Sequence, residues 1–404
     1  MKKFIFLGIV FLFMACPPTA KNAARIYIQQ GEYEAAKEQI LAGLESAPND
    51  FEYYVLLAKV ETGLTNWLAA SDAFLRGVAI DSAKAVNWLL NDKQNVPVYW
   101  QALYNSAITL MSEKKYDEAL EKLFYCEVLD PDNVNQYILE GGIYGELGQK
   151  AKANDAYTRA LAIDPENPEA YFLIGKAVFE KGEYDSSLIN LNEAVKYFKK
   201  RYDRTTRVMF QNLPEVDEQL AQEIYELWGA NKEVELDELV KVRLGIDGGL
   251  EAQRRTIEQY YKTADGLARA YYYIGMAHYN LRNDSLALEN LMKSLDIKGD
   301  DIDALYYAGE INLKFKKYDE SISYFKKITE VKAEDAYAWF YLGVNYTQKK
   351  EYPKAVDIYE NKVLFYDPEN IDAMTNLAYV YREMGNNKKA LEWLTKAEKL
   401  QKEQ

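Results

Sequence analysis

Small, apolar and aromatic residues recur along this chain at helical spacing, most clearly in residues 134–167. In the first half of this stretch, Tyr137, Gly141 and Tyr144 lie three or four residues apart, which places them on one face of a helix. The glycine leaves room for a neighbouring helix to approach closely. The second half repeats this spacing at Ala153, Tyr157, Ala160, Leu161 and Ile163.

Turn and stop signals separate the two halves and end the second one. Leu147 and Gly148 follow the first helical pattern, and glycine is favoured where a helix ends in the left-handed conformation. Asp164 and Pro165 follow the second pattern, and proline cannot continue a helix interior. The stretch therefore predicts two short antiparallel helices, which we call the A and B helices. A pair this short cannot bury its apolar face without stacked neighbours.

The same pattern returns along the chain with a spacing of 34 residues. This period, with its small, aromatic and proline positions, resembles the tetratricopeptide repeat, a helix-turn-helix unit. The resemblance implies an all-α fold, a right-handed superhelical solenoid of helix-turn-helix repeats. It also implies a general activity, the binding of a partner, without naming that partner.

We expect nine repeats with two interruptions. Residues 85–99 form a short helical insertion, and residues 202–267 form either degenerate helical hairpins that continue the solenoid or a separate helical insert. The repeats themselves are expected at 17–84 for the first two, 100–201 for the third to fifth, and 268–404 for the sixth to ninth.

The first sixteen residues resemble a bacterial lipoprotein signal. Lys2 and Lys3 precede an apolar run from Phe4 to Met14, which is too short for an ordinary membrane-spanning helix. We expect residues 1–15 to be removed and Cys16 to carry the lipid. Phe13 departs from the leucine usual at its place, and an ordinary secretory signal is the alternative. The resemblance implies a lipid-anchored protein of the bacterial cell envelope, with the outer membrane favoured and its face left open.

The net charge and the small number of histidine and cysteine residues argue against nucleic-acid binding and against catalysis. A formal charge of −14 argues against a nucleic-acid partner, because phosphate binding requires clustered lysine and arginine. The single histidine, His278, and the second cysteine, Cys126, fall at positions where the repeat places packing residues. These residues do not make an ordinary catalytic or zinc site. We therefore expect no enzyme activity, no metal and no cofactor.

The tetratricopeptide resemblance implies that the A helices line a binding groove. Aromatic residues are frequent at the implied groove positions, and exposed aromatic clusters are typical of interfaces. We expect a protein or extended peptide partner there; packing of the rings against adjacent A helices is the alternative use of these residues. Tyrosine stacking also leaves open capture of a small molecule or glycan. The candidate groove residues are Tyr104, Phe172, Tyr272, Tyr279, Tyr306, Tyr337, Phe340 and Tyr379.

Overall fold

A computed structural model describes residues 19–403, and the chain divides into one compact unit up to Pro165 and a second from Glu166 onward. Regular structure in the described residues is helical throughout, without a strand. The signal sequence and the lipid attachment site predicted at Cys16 lie outside these residues. Between residues 19 and 403, no helix is both long enough and apolar enough to cross a bilayer.

The first unit is a series of short helices in which consecutive pairs form hairpins. The predicted insertion at 85–99 coincides with most of an extra helix, α5, and the start of α6. The helices are α1 (Ala20–Gln30), α2 (Tyr33–Ser46), α3 (Phe51–Gly63), α4 (Trp67–Ile80), α5 (Ser82–Asn91), α6 (Val96–Ser112), α7 (Tyr116–Leu129), α8 (Val134–Glu146) and α9 (Lys150–Ile163).

The second unit has the same hairpins and, in addition, two much longer helices. Its first helices are α10 (Pro168–Phe179), α11 (Tyr184–Met209), α12 (Glu218–Gly229), α13 (Glu233–Val242), α14 (Gly249–Asn280) and α15 (Asp284–Ile297). They are followed by α16 (Ile302–Lys314), α17 (Tyr318–Val331), α18 (Ala336–Gln348), α19 (Tyr352–Ile358), a π-helical turn (Tyr359–Val363), α20 (Leu364–Tyr366), α21 (Ile371–Glu383) and α22 (Asn387–Glu403).

One turn geometry closes the hairpins of both units. In the hairpin of residues 134–167, Gly148 has a positive φ of 70° and the Gln149 amide donates to the carbonyl of Tyr144 at 2.8 Å. This bond satisfies a carbonyl that the helix end would otherwise leave unpaired. The residues with positive φ at the corresponding turns are Gly31, Thr65, Lys114, Gly148, Gly182, Arg282, Lys316, Lys350 and Gly385.

In five of the hairpins a glycine of the A helix packs against a large residue of the B helix. A Cβ atom added at Gly141 would stand 2.2 Å from Cε1 of Tyr157, and one added at Gly309 would stand 2.7 Å from Cε2 of Phe325. Such distances are far inside van der Waals contact, so a larger residue would force the helices apart. Leucine replaces the ring opposite Gly175 and Gly275.

The irregular stretch at 202–267 contains a hairpin and extensions of two helices. Asn231, between α12 and α13, has a positive φ of 57°, and the Lys232 amide donates to the Leu227 carbonyl at 2.9 Å, as in the regular turns. On either side lie α11, which is 26 residues long in total and ends at Met209, and α14, which is 32 residues long and begins at Gly249. Phe198 of α11 packs on Gly266 of α14, where an added Cβ would stand 2.5 Å from the ring.

The B helix of the 336–370 repeat contains one residue more than its counterparts. The corresponding helices α15 and α17 each have 14 residues. Here α19, the π-turn and α20 contribute seven, five and three residues. The Leu364 amide donates to the carbonyl of Tyr359, five residues earlier, which is the bond that defines a π-turn. The extra residue is therefore absorbed inside the helix.

The turn geometry predicts the effect of Lys316→Gly. Lys316 has a φ of 60°, a conformation that costs an ordinary residue about 1–2 kcal/mol. Glycine adopts this conformation without that cost, but it also loses more conformational entropy when the chain folds. We therefore expect Lys316→Gly to raise the free energy of unfolding by about 0.5–1 kcal/mol. Thermal denaturation followed by circular dichroism measures the change.

The matched control is Lys326→Gly, an exposed position inside α17. Glycine in a helix interior costs about 1 kcal/mol, so this variant is expected to unfold at a lower temperature. Equal destabilisation by both substitutions would show that the left-handed conformation at Lys316 carries no strain.

Candidate functional site

Two of the predicted groove residues are substantially exposed, and both lie on A helices of the second unit. Tyr337 on α18 is 53% exposed and Tyr379 on α21 is 43% exposed. Large exposed rings of this kind are not required for packing. They belong to a set of rings on α14, α16, α18 and α21 that we call the aromatic face, formed by Tyr272, Tyr279, Tyr306, Tyr307, Tyr337, Phe340, Tyr341 and Tyr379.

The centre of the aromatic face is organised by hydrogen bonds to Glu310 on α16. Tyr341 donates to Oε1 of Glu310 at 2.6 Å, and the Tyr337 hydroxyl lies 3.3 Å from the same oxygen. The two tyrosine hydroxyls are 3.0 Å apart, and their rings meet edge to face with centroids separated by 4.8 Å. Burial and the hydrogen bond to Glu310 raise the pKa of Tyr341, so it is a neutral donor at physiological pH.

Tyr306 is held in a different way, by the residue that begins α18. Its hydroxyl donates to Asp335 at 2.5 Å, and its ring lies 5.4 Å from that of Tyr337. Asp335 also caps α18 by accepting from the Ala338 amide at 3.0 Å. Burial of Asp335 would raise its pKa, but hydrogen bonds, chiefly the one from Tyr306, lower it. Tyr306 is half-buried, and its hydrogen bond to Asp335 fixes its position.

Tyr272 and Tyr279 are half-buried on α14, and each has a ring neighbour that the sequence reasoning did not select. Tyr272 meets Tyr273 edge to face at 5.4 Å, and Tyr279 meets Tyr307 of α16 at 5.1 Å. Phe340 of α18 is also half-buried, 6.2 Å from the ring of Tyr359. These residues combine packing with partial exposure.

Tyr104 lies in the first unit and has its own surroundings. It is half-buried, and its ring stacks on that of Trp100 with centroids 4.7 Å apart. Burial raises the pKa of its hydroxyl. The Trp100 indole in turn donates to Gln136 at 2.8 Å. Tyr104 therefore belongs to a local packing arrangement in the first unit.

Phe172 is not part of an accessible surface, so its assignment to the groove is wrong. It is 4% exposed and belongs to a core cluster that α10, α11 and α14 form together. Tyr273 packs against its ring at 5.6 Å, and the Arg269 guanidinium lies 5.1 Å from the ring centroid. The long helix α14 covers this residue with Arg269 and Tyr273. The repeat pattern could not indicate this contact, because the interruption at 202–267 hides which helices become neighbours of α10.

The sequence reasoning missed Tyr307 and Tyr341. Each directly follows a residue that was chosen, Tyr306 or Phe340, and both take part in the hydrogen-bonded or ring contacts of the aromatic face. A signal for them was available. Tyr337 and Tyr341 are four residues apart, so they lie on the same side of α18.

A polar cavity of about 290 Å³ opens between α18 and α21. Tyr359, fully buried at the start of the π-turn, lines it, and its hydroxyl makes no hydrogen bond of ordinary geometry among the described residues, although Thr347 and Asn376 lie near it. Burial raises the pKa of Tyr359 to about 12, and the side chains of Thr347 and Asn376 oppose this rise. The remaining lining residues are Val344, Gln348, Lys350, Tyr352 and Tyr379.

The residues considered for chemistry occupy packing positions. Cys126 is fully buried, as predicted, and burial raises the pKa of its thiol. His278 is half-buried, and burial lowers its pKa against the opposing charges of Glu289 and Asp185. In the part of the chain that the structure describes, no group of three or more histidine, cysteine, aspartate or glutamate side chains could hold a metal ion.

Family models match four segments of the chain. A model described as TPR repeat matches residues 141–182, and models described as tetratricopeptide repeat match residues 22–50, 309–364 and 371–404. The chain contains tetratricopeptide repeats. Together with the helical hairpins, these matches confirm the predicted fold class, an all-α tetratricopeptide repeat solenoid. Tetratricopeptide repeats are generally non-catalytic scaffolds that bind proteins or peptides.

A curated relative and several solved structures are similar to this chain. BBSome complex member BBS4 of Bos taurus is 25% identical over 192 residues, which cover 43% of this chain and 37% of the relative's length. Pseudomonas aeruginosa PilF is 12% identical, covering 70% of this chain and 97% of its own, with a TM-score of 0.45.

YrrB, described as a TPR protein with an unusual peptide-binding site, is 18% identical with a TM-score of 0.39, covering 62% of this chain and 95% of its own. MamA of Desulfovibrio magneticus RS-1 is 23% identical with a TM-score of 0.33, covering 43% and 97%.

The unpartnered hydroxyl in the polar cavity predicts the effect of Tyr359→Phe. The preceding repeat has Phe325 at the corresponding place, packed on Gly309 as Tyr359 is packed on Gly343. Because a buried polar group without a partner is destabilising, we expect stability to be unchanged or to rise by up to about 1 kcal/mol. Thermal denaturation of the purified protein measures this change.

Tyr260→Phe is the matched control. Tyr260 is also buried, but its hydroxyl donates to the Ala221 carbonyl at 3.1 Å. Loss of this bond is expected to cost about 1 kcal/mol. If Tyr359→Phe is as destabilising as Tyr260→Phe, the hydroxyl of Tyr359 contributes to stability and is not reserved for a ligand.

Proposed function

We propose that this protein is a non-catalytic, lipid-anchored scaffold that binds a protein partner or an extended peptide segment along its aromatic face. The observation that carries the proposal is the exposure of Tyr337 and Tyr379 within a row of rings that is otherwise held in place by packing and hydrogen bonds. Tyrosine offers a large contact area and loses little conformational entropy on binding, so it is enriched at interfaces.

The fixed neighbours of these residues support a binding role. Tyr306 is tied to Asp335 and Tyr341 is tied to Glu310, so part of the surface is ordered before a partner arrives. Ordering in advance reduces the entropy lost on binding. The polar cavity next to Tyr379 supplies groups that hydrogen-bond main-chain or side-chain atoms of an extended segment.

The anchoring part of the proposal rests on the sequence Leu12 to Cys16, which resembles the end of a lipoprotein signal. Acylation of Cys16 by more than one chain would hold the protein stably on a membrane. We place the protein in the bacterial cell envelope, with the outer membrane favoured, and assign it to the assembly of envelope structures. Pro17 and Pro18 leave a short tether before α1 begins at Ala20.

The double substitution of Tyr337→Ser and Tyr379→Ser tests the binding surface. Because both side chains are exposed, we expect the melting temperature to change little, whereas partner capture is expected to fall by at least tenfold. The measurement is affinity purification with crosslinking from envelope extracts of the source cells, comparing the variant with the wild type at equal amounts.

Phe172→Ser is the contrasting substitution. Because Phe172 is buried, its replacement by serine should lower the melting temperature by several degrees. Partner capture that survives the double tyrosine substitution would contradict the proposed surface. Absence of any stoichiometric protein, combined with a thermal shift on adding glycans, would favour the alternative of small-molecule or glycan capture through the tyrosines.

Cys16→Ser tests the anchor. Serine cannot form the thioether that carries the lipid, so we expect the variant to retain its signal or to leave the membrane fraction. Mass spectrometry of the N-terminal peptide and membrane fractionation measure both effects. The control is Cys126→Ala, which changes the buried cysteine to the residue found at this place in the 134–167 repeat and should stay membrane-bound. Wild-type protein with an unmodified Cys16 would overturn the proposal.

A further inference from the structure

Glu310, at the centre of the aromatic face, carries a charge without a cationic partner in the described part of the chain. Its contacts are the hydroxyls of Tyr337 and Tyr341, which donate hydrogen bonds but bring no positive charge. Lys314, the basic residue one turn further along α16, is paired with Asp284 instead. The carboxylate is therefore ordered but not neutralised.

Tyrosine rings lie on both sides of this carboxylate. Tyr337 and Tyr341 form one edge-to-face pair, with planes at 78°. Tyr279 and Tyr307 form a second, with planes at 63°, between α14 and α16. Tyr307 lies three residues before Glu310, on the same side of α16. Burial raises the pKa of Tyr279 and of Tyr307, and the charge of Glu310 raises both further, whereas Lys314 and Arg282 lower the pKa of Tyr279. Tyr337 leaves the arrangement open to solvent, because half of its surface is exposed.

A second unpaired carboxylate strengthens the negative potential of this region. Asp303, in the first turn of α16, is exposed and has no ion pair among residues 19–403. The pKa of Tyr272 is raised mainly by burial and, to a smaller extent, by the charge of Asp303. The whole chain has a formal charge of −14, so a basic segment approaching from solution is attracted at long range as well.

The chemistry of this arrangement selects a cation. The faces of aromatic rings attract ammonium and guanidinium groups, and a nearby carboxylate adds a charged hydrogen-bond acceptor. An anionic side chain would be repelled by Glu310. An apolar one would take water from the carboxylate without replacing its hydrogen bonds, which costs free energy.

We propose that Glu310, together with Tyr279, Tyr307, Tyr337 and Tyr341, binds a lysine or arginine side chain of the partner. This inference rests on the proposed function and adds the chemistry of the bound segment, which is basic and extended. Asp303 attracts a further basic residue of the same segment.

The experiment compares two fluorescein-labelled peptides of equal length with the full chain, by fluorescence anisotropy. One peptide alternates lysine and serine, and the other alternates glutamate and serine. The wild type is expected to bind the basic peptide at least tenfold more tightly than the acidic one, and salt is expected to weaken this binding because charges are screened. Equal binding of the two peptides would overturn the inference.

Glu310→Gln tests the site itself. Glutamine keeps an acceptor oxygen for both tyrosine hydroxyls, so we expect the melting temperature to stay close to that of the wild type. Affinity for the basic peptide is expected to fall about tenfold. Glu320→Gln makes the same change of charge at an exposed position in the first turn of α17, and it is expected to leave the affinity within twofold of the wild type.

Two results would overturn the cation site. One is an unchanged affinity of Glu310→Gln for the basic peptide; the other is an equal loss in Glu320→Gln, which would assign the binding to the overall charge. Either result leaves the proposed function standing if the double substitution of Tyr337 and Tyr379 still abolishes partner capture. The failure of this inference and the failure of the proposed surface are therefore distinguishable.

Discussion

The close contact between a small residue on one helix and a large residue on the next is the constraint on which the hairpins depend. Gly141 against Tyr157, Gly309 against Phe325 and Gly343 against Tyr359 leave no room for a Cβ atom. Each contact sets the distance between the two helices of a hairpin and uses the large B-helix side chain in the core. The opposite sides of the A helices therefore remain available for other residues.

In the second unit that available surface is occupied by tyrosines whose hydroxyls are directed to carboxylates. Tyr306 with Asp335, and Tyr341 with Glu310, form bonds of 2.5 and 2.6 Å. Such bonds orient the two rings; Asp335 is also paired with Lys332, whereas Glu310 has no ion pair among the described residues. The result is a surface that is aromatic in shape and acidic in potential, which suits a partner with extended, basic segments.

The local rules of the hairpin could be predicted from the sequence because each depends on residues close together in the chain. Gly141 indicates a close contact between helices, Gly148 indicates a left-handed turn, and Pro165 indicates the end of a helix. The burial of Phe172 could not be predicted, because it depends on Arg269 and Tyr273 from a distant helix. The full lengths of α11 and α14 could not be predicted either, because the absence of a proline stop near residue 201 indicates that a helix runs on but not where it ends.

The π-turn at Tyr359–Val363 lets this repeat contain one more residue without rotating the residues that follow it around the helix axis. An extra residue in an α-helix turns everything that follows by about 100° around the helix axis. Here Tyr359 and Val363, the first and last residues of the π-turn, are both fully buried, and Ala373 and Leu377 of α21 are fully buried in turn. The added residue is thus confined to one turn. A hairpin can therefore gain a residue within a helix, as well as in its loop, while the apolar residues on both sides of the added one stay buried.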